Sequence, residues 1–147
     1  MTGWIVDTNV ISETRRSLPN EQVRDWLLDQ SQGPRFTTIV NLAEIRYGIH
    51  REQDSSRAKL LQTWLDDVVR SWFKNRVLSA DEATILKWRL ISRQAQIDRK
   101  SAPPADMLIA AIAIKQNMNI ATRDTAPFVA CGIPTLNPWT GERFNGA

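Results

Sequence analysis

The sequence predicts an α/β domain of three layers, helices packed on both faces of a central parallel sheet. Three observations carry this. Short apolar or β-branched runs alternate with amphipathic stretches along the whole chain. Strands separated by helices need crossover connections, which make neighbouring strands parallel. One stretch, Ala105 to about Asn117, is nearly all apolar, as a helix buried against a sheet must be.

The elements follow in order. Trp4–Val6 reads as a short buried strand, with a helix over Thr8–Glu13 after it. Asn20 caps a helix to about Gln30 that carries Val23, Trp26 and Leu27 at spacings of three and four. Phe36–Ile39 is rich in aromatic and β-branched residues and suits a second strand. A helix from about Asn41 to Glu52 then puts Leu42, Ile45 and Ile49 on one stripe.

Ser55–Ser56 opens a long amphipathic helix with Leu60, Leu61, Trp64, Leu65, Val68 and Trp72. Val77–Leu78 is a short strand. The capping-box spacing Ser79-Ala80-Asp81-Glu82 starts a helix expected to turn Leu86, Leu90 and Ile91 inward. Pro103–Pro104 ends it and primes the apolar helix. Ile120–Thr122 and Thr135–Leu136 are the last strands, Pro127 marks a turn, and Asn137-Pro138-Trp139 closes the fold.

A chain of 147 residues suits one domain, 1–147. No run approaches the ~18 apolar residues of a membrane span, and the N-terminus lacks the pattern of a signal peptide. Cys131 is the only cysteine, which fits a reducing cytosol, and His50 is the only histidine, so a Cys/His zinc site is excluded. His50 reads as a surface or packing residue. The net charge of +3 is compatible with a nucleic-acid partner and equally with an ordinary solvated surface.

Four acids stand out. Asp7 and Asp124 each follow a strand directly, Asp106 lies in the first turn of the apolar helix, and Glu44 sits early in the helix after the second strand. Each has an ordinary structural reading. Asp7 can cap the next helix, Asp124 can form an Asx-turn, Asp106 can complement a helix dipole, and Glu44 can be a solvated surface residue. Open α/β sheets bind ligands beyond the carboxyl ends of their strands, and all four acids fall at that edge. Carboxylates gathered in one pocket raise each other's pKa unless a charge cancels them. A hard divalent cation with oxygen ligands, Mg²⁺ or Mn²⁺, is the natural candidate. Acids around such an ion, with basic residues nearby, suit the cutting of a phosphodiester.

Asp7-Thr8-Asn9, Ala43-Glu44-Ile45-Arg46-Tyr47-Gly48, Ala105-Asp106 and Ala121-Thr122-Arg123-Asp124 together resemble the four signature blocks of PIN domains. More narrowly they resemble the VapC/FitB-type toxins of type II toxin–antitoxin pairs. The resemblance covers almost the whole chain in the right order.

It implies a PIN-like α/β/α fold and a cytoplasmic, metal-dependent ribonuclease, usually a homodimer, held inactive by a cognate antitoxin, with larger assemblies on operator DNA. Carried over position by position, Asp7, Glu44, Asp106 and Asp124 would be the catalytic, metal-holding quartet. Thr8, Asn9, Ser12 and Thr122 would orient those acids, and Arg46 and Arg123 could face the acids or the scissile phosphate. A metal-bound water would attack phosphorus, with Glu44 or Asp124 helping to deprotonate it. At the last block many members read Thr-Arg-Asn with an acid three residues on. Here that later position is Pro127 and the acid is Asp124, which leaves open whether Asp124 meets the metal directly or through water.

The other readings weighed are an antitoxin-partner module in a DNA-binding complex with little catalysis, and a haloacid-dehalogenase-type phosphatase. The latter needs a second Asp two residues after the first, where Asn9 stands. The six tryptophans read as core or interface residues. Ser92–Lys100 reads equally as an RNA path and as a solvated helix end.

Overall fold

The computed structural model describes residues 2–147. Six strands form one sheet in the order β3-β2-β1-β4-β5-β6: β1 (Trp4–Val6), β2 (Arg35–Thr38), β3 (Val77–Leu78), β4 (Asn119–Ala121), β5 (Thr135–Leu136) and β6 (Arg143–Phe144). The first five are parallel, as expected. β6 pairs antiparallel with β5, Thr135 opposite Phe144. This edge strand extends the chain's pairing beyond Trp139, where the sequence reading had closed the fold.

Side chains alternate across β1 and divide the core in two. Trp4 and Val6 join Val10, Ile11, Val23, Leu42, Leu65 and Val69 on one face. Ile5 joins Ile109, Ile112, Ile120, Phe128 and Ile133 on the other. The helices behind these residues are α1 (Thr8–Glu13), α2 (Glu21–Leu28) and α3 (Ile39–Arg51) on the first face. α6 (Glu82–Ile97), α7 (Pro104–Gln116) and α8 (Ala126–Ala130) cover the second. The three layers follow from the period-two pleat meeting apolar stripes on both sides.

Asn20 caps α2 as expected, its side chain accepting from the Val23 N–H. The long stretch after Asp54 runs as α4 (Ser55–Thr63), a π-helical turn (Trp64–Val69) and α5 (Arg70–Trp72). The wider turn rephases the helix, so Leu65 and Val69 are buried while Leu60, Val68 and Trp72 are exposed.

In α6 the expected inward stripe holds for Ile91, which packs against the core, but not for its other members. Leu86 and Leu90 are exposed. The stripe facing α7 instead passes through the buried Thr84 and the half-buried Lys87, Trp88, Ile91 and Ala95. The cap is also shifted from Ser79: Asp81 accepts from the Thr84 N–H and hydroxyl at 2.9 and 2.7 Å. Pro127, read as a turn, lies in the first turn of α8, where its missing N–H costs nothing. His50 is exposed. No helix among the described residues is long and apolar enough to cross a membrane.

Candidate metal centre

β1 starts the chain in mid-sheet. β2 and β3 then build outward on one side, and β4 to β6 on the other. The strand order therefore switches between β1 and β4, where Val6 pairs with Ala121, so the residues just beyond them, Asp7 and Thr122, share the crevice that α/β sheets use for ligands.

Asp7 is the N-cap of α1 and is 6% exposed. Its Oδ1 accepts from the Thr8 N–H at 2.8 Å and from Asn41 Nδ2 at 2.9 Å. Its Oδ2 accepts from the Thr122 hydroxyl at 2.7 Å. Burial pushes the Asp7 carboxyl above its ordinary value despite these three donors, and the charge of Asp124 adds to the rise. Desolvation outweighs hydrogen bonding here. With two bonds on Oδ1 and one on Oδ2, the remaining lone pair on Oδ2 is the free acceptor.

Asn41 is fully buried at the start of α3 and has no freedom of orientation. The Thr38 hydroxyl donates to its Oδ1 at 2.6 Å, so its amide nitrogen must face Asp7, and it also donates to the Thr8 hydroxyl at 3.1 Å. The sequence reading missed both Thr38 and Asn41. The signal was present: Asn41 is a polar residue early in the helix after a strand, the placement that singled out Glu44.

Asn9 ties the two strand ends together. Its Nδ2 donates to the Thr122 hydroxyl at 3.2 Å and to Asp124 Oδ2 at 3.3 Å, and its Oδ1 accepts the Arg123 N–H at 3.3 Å. Thr122 also accepts from the Asp124 N–H at 3.1 Å. Thr8, Asn9 and Thr122 each hydrogen-bond to one of the acids. Ser12 does not: it is exposed and its hydroxyl makes no hydrogen bond among the described residues, since α1 buries Val10, Ile11 and Glu13 around it.

Glu44 and Asp106 complete the edge. Each carboxyl is pushed up to about 6, first by partial burial and then by Asp7. Asp106 adds to the rise at Glu44, and Asp124 to that at Asp106. Asp7 and Asp106 thus each share a field with Glu44 and with Asp124. The four acids are not packed as tightly as expected, because among the described residues no three His, Cys, Asp or Glu side chains are grouped closely enough to hold one ion together.

Arg46 points elsewhere. It lies two residues past Glu44, roughly 200° round the helix, and pairs with Asp66 at 2.9 Å. Arg123 stays beside the site, its guanidinium 3.9 Å from the centre of the Trp139 ring. A further acid, Glu13, is 4% exposed at the far end of α1 and was absent from the predicted set.

The donor set is all hard oxygen: the buried Asp7 with its free Oδ2 lone pair, the half-buried Asp106, and the exposed Glu44 and Asp124. That suits a cation of the Mg²⁺ type, which takes one or two carboxylates directly and keeps several waters.

A mostly parallel sheet with acids at its switch point, covered on both faces, defines an α/β/α class whose site lies at the carboxyl edge of the strands. Residues 4–131 match the PIN domain family, and the chain belongs to it. It is 36% identical over 135 residues to plasmid stability protein StbB of Pseudomonas syringae pv. tomato, covering 92% of this chain and 97% of that one. It is 33% identical to toxin FitB of Neisseria gonorrhoeae and to VapC ribonuclease Y4jK of Sinorhizobium fredii, covering 92% of this chain and 97% and 96% of theirs. Two solved structures superpose at this level. FitAcB from Neisseria gonorrhoeae gives a TM-score of 0.83 at 33% identity, over 92% of this chain and 98% of that one. FitAB bound to an IR36 DNA fragment gives 0.82 at 33% identity, over 92% and 95%.

Proposed function

We propose that the chain is a metal-dependent endoribonuclease acting as the toxin of a toxin–antitoxin pair, working as a single domain over 1–147. The observation that carries this is the buried Asp7 at the β1/β4 switch, held by three donors with an Oδ2 lone pair left free and with Glu44, Asp106 and Asp124 at the same sheet edge. The ribonuclease and toxin names of its relatives support it.

Asp7 through its free Oδ2 lone pair and Asp106 from the first turn of α7 would hold Mg²⁺ or Mn²⁺. Glu44 and Asp124 would meet the ion's waters. When bound, the ion supplies charge neutralisation, phosphoryl polarisation and a water of lowered pKa. Thr122, Asn41 and the Thr8 N–H keep the Asp7 rotamer fixed, as supporting shells of metal sites do. Glu44, with its carboxyl at about 6, has a proton affinity suited to taking the proton of the attacking water near neutral pH.

The partner is an antitoxin, supported by the superposition on FitAcB and on DNA-bound FitAB. A homodimer would cover part of the exposed Leu86, Leu90 and Ile97 on α6.

The test is cleavage of single-stranded RNA by the purified chain with Mg²⁺ or Mn²⁺. Cleavage should stop in EDTA and in a cooperatively melting Asp7→Asn variant. Undiminished cutting in either would sink the proposal.

A further inference from the structure

Beside the acid site lies a second charged constellation. The carboxylate of Glu13 is buried at the end of α1, and its Oε2 accepts the Asn20 N–H at 2.9 Å. Its Oε1 lies 3.6 Å from Arg16 Nη1 and 3.9 Å from Arg123 Nη2. Both arginines are largely exposed, with relative side-chain areas of 66% and 51%. At those distances the pairs are long, and among the described residues neither guanidinium makes a hydrogen bond. Their N–H groups remain available, and guanidinium geometry matches phosphate oxygens.

Arg123 is also held from below. Its guanidinium lies 3.9 Å over the Trp139 ring, and the Trp139 backbone is held by its main-chain N–H donating to Asn137 Oδ1 at 2.9 Å. Cation–π contact of this kind fixes the plane of the group without consuming its donors. The Arg123 backbone N–H donates to Asn9, whose amide reaches Asp124. The constellation therefore adjoins the acids directly.

We propose that Arg16 and Arg123, bracketing Glu13, form a binding subsite for a backbone phosphate of the RNA strand beside the scissile position. Trp139 is the positioning residue for Arg123. Glu13 is the internal countercharge that parks both arginines when RNA is absent. The subsite rests on the nuclease reading above.

The test uses the full chain in an Asp7→Asn background, which does not cut, with a short fluorescein-labelled single-stranded RNA followed by anisotropy in metal-free buffer across a KCl series. Each phosphate contact on a single strand contributes about 0.7 to the slope of log K against log [salt]. The double Arg16→Ala/Arg123→Ala variant should flatten the slope by about 0.7, the one phosphate the two arginines share, and each single variant by less. Arg123→Lys should keep the slope but bind more weakly, because the planar stack on Trp139 is lost. Glu13→Gln retains an acceptor for the Asn20 N–H and should bind RNA more tightly at low salt. A merely structural Glu13 would not produce that gain.

A double variant with the full slope overturns the subsite, as does a Glu13→Gln variant with unchanged or weaker affinity, or a background chain that does not bind RNA. Wild-type cleavage in Mn²⁺ is scored separately. A chain that cuts RNA yet keeps its slope in the double variant loses only this subsite; one that cuts nothing loses the nuclease reading and the subsite with it.

Discussion

Asp7 and Asp124 end neighbouring parallel strands, yet their surroundings are opposite. Asp7 is buried beneath three donors supplied by α1, α3 and the end of β4. Asp124 is exposed, and its carboxylate takes one side-chain hydrogen bond, from Asn9. Identical chemistry at equivalent strand ends thus yields one anchored and one loosely tethered acid. The difference lies in distance from the sheet: both strands are flanked on each side, but Asp7 follows β1 directly whereas Asp124 stands three residues beyond Ala121, the last residue of β4.

The contrast predicts a graded series. Asp7→Asn should cost most, more than the roughly 10–100-fold that losing a supporting group costs a metal site, measured as kcat/KM on an RNA substrate. Asn41→Ala leaves Asp7 in place and removes one of its donors. Activity or metal affinity should fall about 10–100-fold, with a stability loss of about 1–3 kcal/mol for the under-bonded buried group. Denaturant melts of the same protein would show it. Asp124→Asn should fall less than about 10-fold, below the smallest loss expected of a supporting group. A loss at Asp124 equal to that at Asp7 would erase the distinction between them.

A subtler effect separates Glu44 and Asp106 from ordinary surface acids. Both titrate near 6 in the folded chain, above their usual values of 4.5 and 3.8. The folded state then binds more protons than the unfolded chain between those values and about 6, so their contribution to stability falls as pH rises through that window and is flat above it. In EDTA, the melting temperature of wild type relative to Asp106→Asn should decline from about pH 4 to about pH 6. A difference independent of pH, read by scanning calorimetry, would contradict the shared field.

Much of this was legible in the sequence because the signals were local. β1, β3 and β5 fall on the residues expected, since short apolar runs between polar turns have few alternative readings. β6 was not visible: Arg143–Phe144 has no alternating pattern, and only its pairing with β5 makes it a strand. The facing of α6 was misjudged because Leu86 and Leu90 form a good stripe in isolation, and only contact with α7 selects the adjacent one.

At the site, the placement of the four acids could be read from strand ends and helix starts. The donors around Asp7 could not be fully read, because Asn41, oriented by Thr38, reaches it across 34 positions of chain only through the register of β1 with β2. Ser12 shows the converse. The family resemblance gave it a supporting role, yet it is exposed and its hydroxyl makes no hydrogen bond among the described residues.

The central claim is that Asp7 anchors a divalent cation at the β1/β4 switch. Calorimetric titration of the isolated chain with Mn²⁺ tests it most directly. Wild type should give saturable binding, Asp124→Asn should retain it at reduced affinity, and Asp7→Asn should give none while melting cooperatively. Equal Mn²⁺ binding by wild type and Asp7→Asn would contradict the account.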